Sequence, residues 1–339
     1  MNHRAAPVLV LILSVGLGPR VAAQDVSVSP TTGDVVAAAT KFLATLDETQ
    51  RSKLVFDFSD NAQRGRWSNL PTSIVKRGGL RFGDLTKPQR DAAMGLLAAA
   101  LSPRGYENVL QIVEADETLK TSTSEAMFGR DNYYVSFLGR PSTTHPWMIQ
   151  FGGHHLGLNI TLVGGKGTLA PSHTGAQPAT YEFEGRTVRP LGRETDKAFA
   201  LLSSLDEAQR QQAILGFQMR DLVLGPGRDG QMIQPEGIKG SALTETQRAM
   251  LLDLTGEWTA IMADAFARAR MDELKSHLAE TWFAWSGPTE KGGAAYFRIQ
   301  GPTVIIEYAP QRLGGDPANH IHTIYRDPTN EYGEKWWKP

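Results

Sequence analysis

The chain predicts an α+β fold that is internally duplicated. Each half is expected to be a helical segment followed by an antiparallel β-meander, with the two sheets packed in pseudo-twofold symmetry. Three observations carry this expectation. A signature of Asp or Thr, two residues, then Gln-Arg occurs four times, at Asp47–Arg51, Thr86–Arg90, Asp206–Arg210 and Thr244–Arg248. The first pair is 39 residues apart and the second 38, with an offset of 158–159 between pairs. Gly79-Leu80 and Gly237-Ile238 fall at the same offset, and further on Gly153 matches Gly301. After each helical half the apolar period changes from 3.6 to 2, the mark of helices followed by strands.

Taken in order, residues 1–23 read as a Sec-type signal peptide: Arg4, an apolar run from Ala6 to Leu17, then Val21-Ala22-Ala23 before Gln24. That run is shorter than the about 20 residues a membrane span needs. Residues 24–33 are expected to be a flexible N-terminus, 34–163 the first repeat, 164–193 a polar connector, 194–334 the second repeat and 335–339 a tail. In the first repeat, helices are expected over 33–46, 47–56, 86–101 and 102–119, opened by Asp47 with Gln50 and Thr86 with Gln89 as capping boxes. Strands follow over 133–138, 147–151 and 155–163. The second repeat gives helices near 194–203, 206–217, 244–265 and 268–278, then strands over 281–285, 295–300, 303–308 and 320–325. Tyr133, Tyr134, Trp147, Trp282, Trp285 and Tyr296 read as the packed face of the sheet rather than a substrate cleft.

The chain has no cysteine and a formal net charge of -1. Disulfides, thiolate metal sites and a cysteine nucleophile are thereby excluded, and no basic run suggests nucleic acid. With the signal removed, the composition predicts a soluble periplasmic or secreted protein with no membrane partner; oligomeric state is not indicated. No nucleophile elbow, zinc-protease helix, phosphate loop or dinucleotide motif is present.

The chemistry is expected where the two copies diverge. Of eight histidines, four lie in Gly153-His154-His155-Leu156 and Asn319-His320-Ile321-His322. In a strand, residues i and i+2 share a face, so His320 and His322 can converge on one ion. Superposing Gly153 on Gly301 puts Asn159 on Glu307, a carboxylate that would complete a two-His, one-carboxylate site. The alternative is that Glu307 pairs with Arg326 or Arg298 and the histidines cap carbonyls. His155 is expected as a further ligand or general base. His154, Asn159 and Arg326 are expected to support these groups, with His154 buried and hydrogen-bonded. His173 is the counterpart, by spacing, of the His-x-His position, while His145 and His277 read as a turn residue and a helix-dipole partner.

These residues also carry a resemblance. Asp47–Arg51, Gly78-Gly79-Leu80-Arg81 with Leu85–Arg90, Gly153-His154-His155-Leu156, Arg298–Pro302, Ile306-Glu307-Tyr308, Asn319–His322 and Arg326-Asp327 together are similar to the family named for domain of unknown function 3500. It spans nearly all the mature chain, and His173 departs from its pattern, where an aromatic is expected. The resemblance implies a family without an activity.

The expectation from the residues is therefore an exported, metal-dependent enzyme of hydrolase type acting on a small molecule. Glu307, His320, His322 and His155 would hold a divalent ion, zinc first, with copper or iron as alternatives. Glu307 and His155 would be catalytic. A metal-dependent oxidoreductase and a non-catalytic metal- or ligand-binding protein are the rival readings.

Overall fold

The computed structural model describes residues 32–313 and 315–338. The expected signal segment, 1–23, and most of 24–33 lie outside the described residues. The chain opens with α1 (Thr32–Ala44), α2 (Glu48–Leu54), β1 (Val55–Phe56), α3 (Asn61–Arg64), β2 (Leu80–Arg81), α4 (Lys87–Ala100) and α5 (Pro103–Thr123). Strands β3 (Tyr134–Leu138), β4 (Trp147–Gly152), β5 (Leu156–Val163), β6 (Lys166–Thr168), β7 (Ser172–Ala176), β8 (Tyr181–Phe183) and β9 (Arg186–Val188) follow. Then come α6 (Gly192–Ser204), α7 (Glu207–Ala213), β10 (Ile238–Lys239), α8 (Glu245–Thr259) and α9 (Asp264–Ser276). The last strands are β11 (Trp282–Ser286), β12 (Tyr296–Gln300), β13 (Ile305–Pro310) and β14 (Ile321–Arg326).

The repeated signature has a shared local cause. In α2 and α7 the Asp47 and Asp206 carboxylates accept from the backbone N–H of Gln50 and Gln209, at 2.7 and 2.8 Å. Gln89 and Gln247 likewise accept from the backbone N–H of Thr86 and Thr244, each at 2.9 Å. The capping glutamines then bond to one another in pairs: Gln89 Nε2 donates to Gln50 Oε1, and Gln209 Nε2 to Gln247 Oε1, both at 2.9 Å. The arginine after each Gln reaches back to a carbonyl upstream of its own helix, as Arg90 does to Leu85 and Arg248 to Leu243. One pentapeptide therefore fixes a helix start, a helix pair and the incoming loop.

The strands form one twelve-stranded, mostly antiparallel sheet, in the order β1-β3-β4-β5-β7-β14-β13-β12-β11-β10, with β2 and β6 off the main path. Two packed sheets were expected. Instead the meanders join edge to edge, through β7 against β14 with Thr174 opposite Thr323 and their hydroxyls 2.7 Å apart. The connector is therefore not merely polar linker, because it supplies a central strand. Ser172-His173-Thr174-Gly175-Ala176 has little intrinsic strand character, and pairing on both edges makes it extended.

The sheet's two faces differ in kind. One face carries Phe137, Ile149, Leu158, Ile160, Phe297, Ile299 and Ile306, which join residues of α1, α4, α6 and α8 in the main core. The opposite face is polar yet buried. Ser136, Gln150 and Asn159 lie side by side across β3, β4 and β5, and Arg298, Glu307, Ile324 and His173 across β12, β13, β14 and β7. Loops close over this polar face. Gln63 donates to Ser136 and Gln150, at 3.1 and 2.9 Å. Trp337 docks on Phe58, and Trp67 Nε1 donates to Tyr332 Oη at 2.9 Å. Among the described residues no helix is long and apolar enough to cross a membrane.

Candidate metal centre

The β4–β5 hairpin turns on His154-His155, closed by the Gly153 N–H bonding the Leu156 carbonyl at 3.0 Å. His155 takes a left-handed φ of 61°, so it is a turn residue and not the start of a strand. The expected alternation of the two rings across a strand does not apply. Their rings stack instead, with centroids 3.6 Å apart. His154 Nδ1 lies 2.7 Å from Asp116 Oδ1 on α5, and the Tyr133 hydroxyl donates to the His154 carbonyl at 2.8 Å. His154 is thus the buried, hydrogen-bonded histidine that was expected.

His155 points the other way, toward the start of β14. Its Nε2 lies 2.9 Å from His320 Nε2, which is 3.1 Å from His322 Nε2. His155, His320 and His322 each offer a nitrogen within 4.8 Å of the others, a spacing that could hold a metal ion. His320 Nδ1 lies 2.6 Å from the Leu313 carbonyl, which can only accept. Its proton therefore sits on Nδ1, leaving the Nε2 lone pair for the centre of the cluster. A cation placed between the three Nε2 atoms would engage the lone pair of each ring whose proton sits on Nδ1. Asn69 lies against His322 Nδ1 at 3.1 Å, and Arg77 ties its loop to the hairpin by donating to Ser68, Leu70 and Gly153 carbonyls.

Electrostatics keep the rings neutral, as ligation requires. Burial pushes His155 and His322 well below the usual histidine value, and His320 below it. His173, fully buried on β7, is lowered by burial to about 3. Its ring lies 5.2 Å from that of His322, and among the described residues neither of its nitrogens has a hydrogen-bond partner. Gly175 leaves the room: a Cβ there would come 3.2 Å from His173 Nε2 and 3.3 Å from His155 Cδ2. Asp116, His154 and His155 make a second group with metal-compatible spacing.

Glu307 stands outside both groups, which corrects the expected ligand set. Its register explains why: it pairs with Ile324, whereas His322 pairs with Ala309. Its oxygens accept from Val223 N, Leu224 N and the Tyr296 hydroxyl, at 2.9, 2.7 and 2.7 Å. Glu307 therefore anchors the loop after α7. Asn159 accepts from Gln150 and donates to the Pro171 carbonyl, each at 2.9 Å, and so braces the sheet rather than the histidines. Arg326 donates to the Leu224 and Gly225 carbonyls and pairs with Asp229 and Glu331. His145 is exposed in a turn and His277 follows the end of α9.

Two contributors went unread in the sequence. Asp116 sits on the buried stripe of α5 with Val109, Ile112 and Leu119, and a carboxylate on such a stripe was the available signal. Asn69 lies in an irregular loop with no pattern to mark it. No curated protein and no solved structure matches the chain. The family model described as "Protein of unknown function (DUF3500)" matches residues 29–334, and the chain belongs to that family.

Proposed function

We propose that His155, His320 and His322 bind one divalent cation and that the protein is an exported metal-dependent enzyme of hydrolase type. The observation that carries the reading is the close approach of three buried, neutral imidazole nitrogens from two distant segments. An all-imidazole set suits zinc, with copper or iron as the alternatives. Three protein ligands leave a position for water, which zinc activates near neutral pH. A non-catalytic metal-binding role is the second reading, favoured by His173, a fourth buried imidazole whose nitrogens have no hydrogen-bond partner among the described residues.

The chain is also read as a duplication, 34–163 and 194–334 joined by 164–193. The four capping boxes and the order of strands on either side of β7 and β14 support it. Export to the periplasm rests on the signal-like residues 1–23.

Elemental analysis of the purified native protein tests the metal reading. About one equivalent of zinc, copper or iron is expected, and a His320→Ala/His322→Ala variant should carry none. Equal metal in both proteins would overturn it.

A further inference from the structure

Among the described residues eight large apolar side chains are exposed, and five of them lie on three segments that cover one side of the sheet. They are Leu70 and Ile74 on 65–79, Phe217 and Met232 on 214–237, and Leu313 on 311–313. Each segment is held onto the histidine-bearing side by backbone or polar groups: Asn69 at His322, Val223 and Leu224 at Glu307, and the Leu313 carbonyl at His320. The polar atoms make the attachment, and the apolar side chains stay in solvent. Exposed apolar surface gathered on a few loops marks a place where something else packs.

Hydrogen bonds tie four of the five directly to the histidine cluster. Leu70 follows Asn69, which lies 3.1 Å from His322 Nδ1, and the Pro71 carbonyl accepts from Ile74 N at 3.0 Å to close a turn. Leu313 is 82% exposed while its carbonyl lies 2.6 Å from His320 Nδ1. Arg312 donates to Gln218 at 3.4 Å, which sets Phe217 beside the same segment. Met232 is further off, because its neighbour Ile233 bonds to Gln300 on β12. The groups that meet the outer nitrogens of His320 and His322 therefore each carry or adjoin an exposed leucine. Arg77, Asp221 and Arg312, the charged groups bonded into these segments, all have protein partners. What this rim leaves open to a ligand is largely hydrocarbon.

We propose that the small molecule taken at the histidine centre carries a hydrocarbon body. Leu70, Ile74, Phe217 and Leu313 hold that body while an oxygen-bearing head meets the ion. This inference rests on the metal reading and adds the substrate class to it.

The probes are acetohydroxamate and octanohydroxamate, which share one metal-binding head and differ in chain length. Each is titrated calorimetrically into the protein loaded with one equivalent of zinc, and into metal-free protein in EDTA. Both are expected to bind only the zinc-loaded form. Octanohydroxamate should bind at least about 10-fold more tightly, since burying about two of its extra methylenes supplies that factor. Leu70→Ser/Leu313→Ser should remove most of that preference and leave acetohydroxamate unaffected. Leu110→Ser, at a leucine similarly exposed but on α5, should change neither affinity. Failure of acetohydroxamate to bind the zinc-loaded form would overturn the metal reading and this inference with it. With acetohydroxamate bound, three results would overturn the inference alone: equal affinities for the two probes, a preference that Leu70→Ser/Leu313→Ser leaves whole, or one that Leu110→Ser removes.

Discussion

His155 and His320, 165 residues apart in the chain, bring their Nε2 atoms to 2.9 Å. One comes from a hairpin turn and the other from the entry to a central strand. The pairing of β7 with β5 on one edge and β14 on the other brings these segments together. The histidine cluster is thus a product of the same edge-to-edge contact that makes one sheet of two meanders.

Glu307 separates structure from chemistry. Glu307→Gln keeps the shape but removes the charge from three donors. A destabilisation of about 1–3 kcal/mol is expected by urea unfolding, with metal content unchanged. Loss of metal from a folded Glu307→Gln protein would restore the carboxylate to the ligand set.

Asp116 orients His154, whose ring stacks on His155. Asp116→Asn should lower zinc affinity by about 10-fold, toward the lower end of what a supporting partner of a ligand contributes. Competition against a chelator of known affinity reads this directly. Unchanged affinity would make the Asp116–His154 pair purely structural.

The metal-free protein should lose stability in mild acid. His155, His173 and His322 are all held below the ordinary histidine value by burial. Below about pH 6.5 the unfolded chain takes up protons that the folded chain refuses, so stability falls as pH falls. Each of these histidines contributes up to about 1.4 kcal/mol per pH unit between that value and its own lower one. Urea midpoints measured from pH 7.5 to 5.0 with EDTA should fall steadily, and less steeply in His173→Phe. A flat profile would show that the rings titrate normally.

Much of this architecture was legible because it is local. A capping box is satisfied within four residues, so Asp47, Thr86, Asp206 and Thr244 could be read as helix starts without knowing the fold. His320 and His322 were readable as a convergent pair by strand period, and His155 by its place in the second histidine pair. β7 was not readable, because Ser172–Ala176 becomes a strand only by pairing on both edges. Asp116 was hidden in a helical stripe 38 residues from its partner, and pairing across that distance leaves no local mark. Glu307 misled for a physical reason. It differs from Asn159, but both serve as polar braces under covering loops, each satisfied by its own neighbours.

The caps themselves invite a paired test. Asp47→Ala and Asp206→Ala remove equivalent caps from α2 and α7, and each should cost about 1 kcal/mol in thermal or urea unfolding. Costs that differ by more than about 1.5 kcal/mol would show that the two signatures carry unlike structural weight.

The most direct test of the central claim is zinc K-edge X-ray absorption on the protein loaded with one equivalent of zinc. The account predicts a first shell of nitrogen and oxygen at about 2.0–2.1 Å with the outer-shell scattering of three imidazoles, and one fewer imidazole in His155→Ala. A spectrum of hydrated zinc, or one that His155→Ala leaves unchanged, would contradict it.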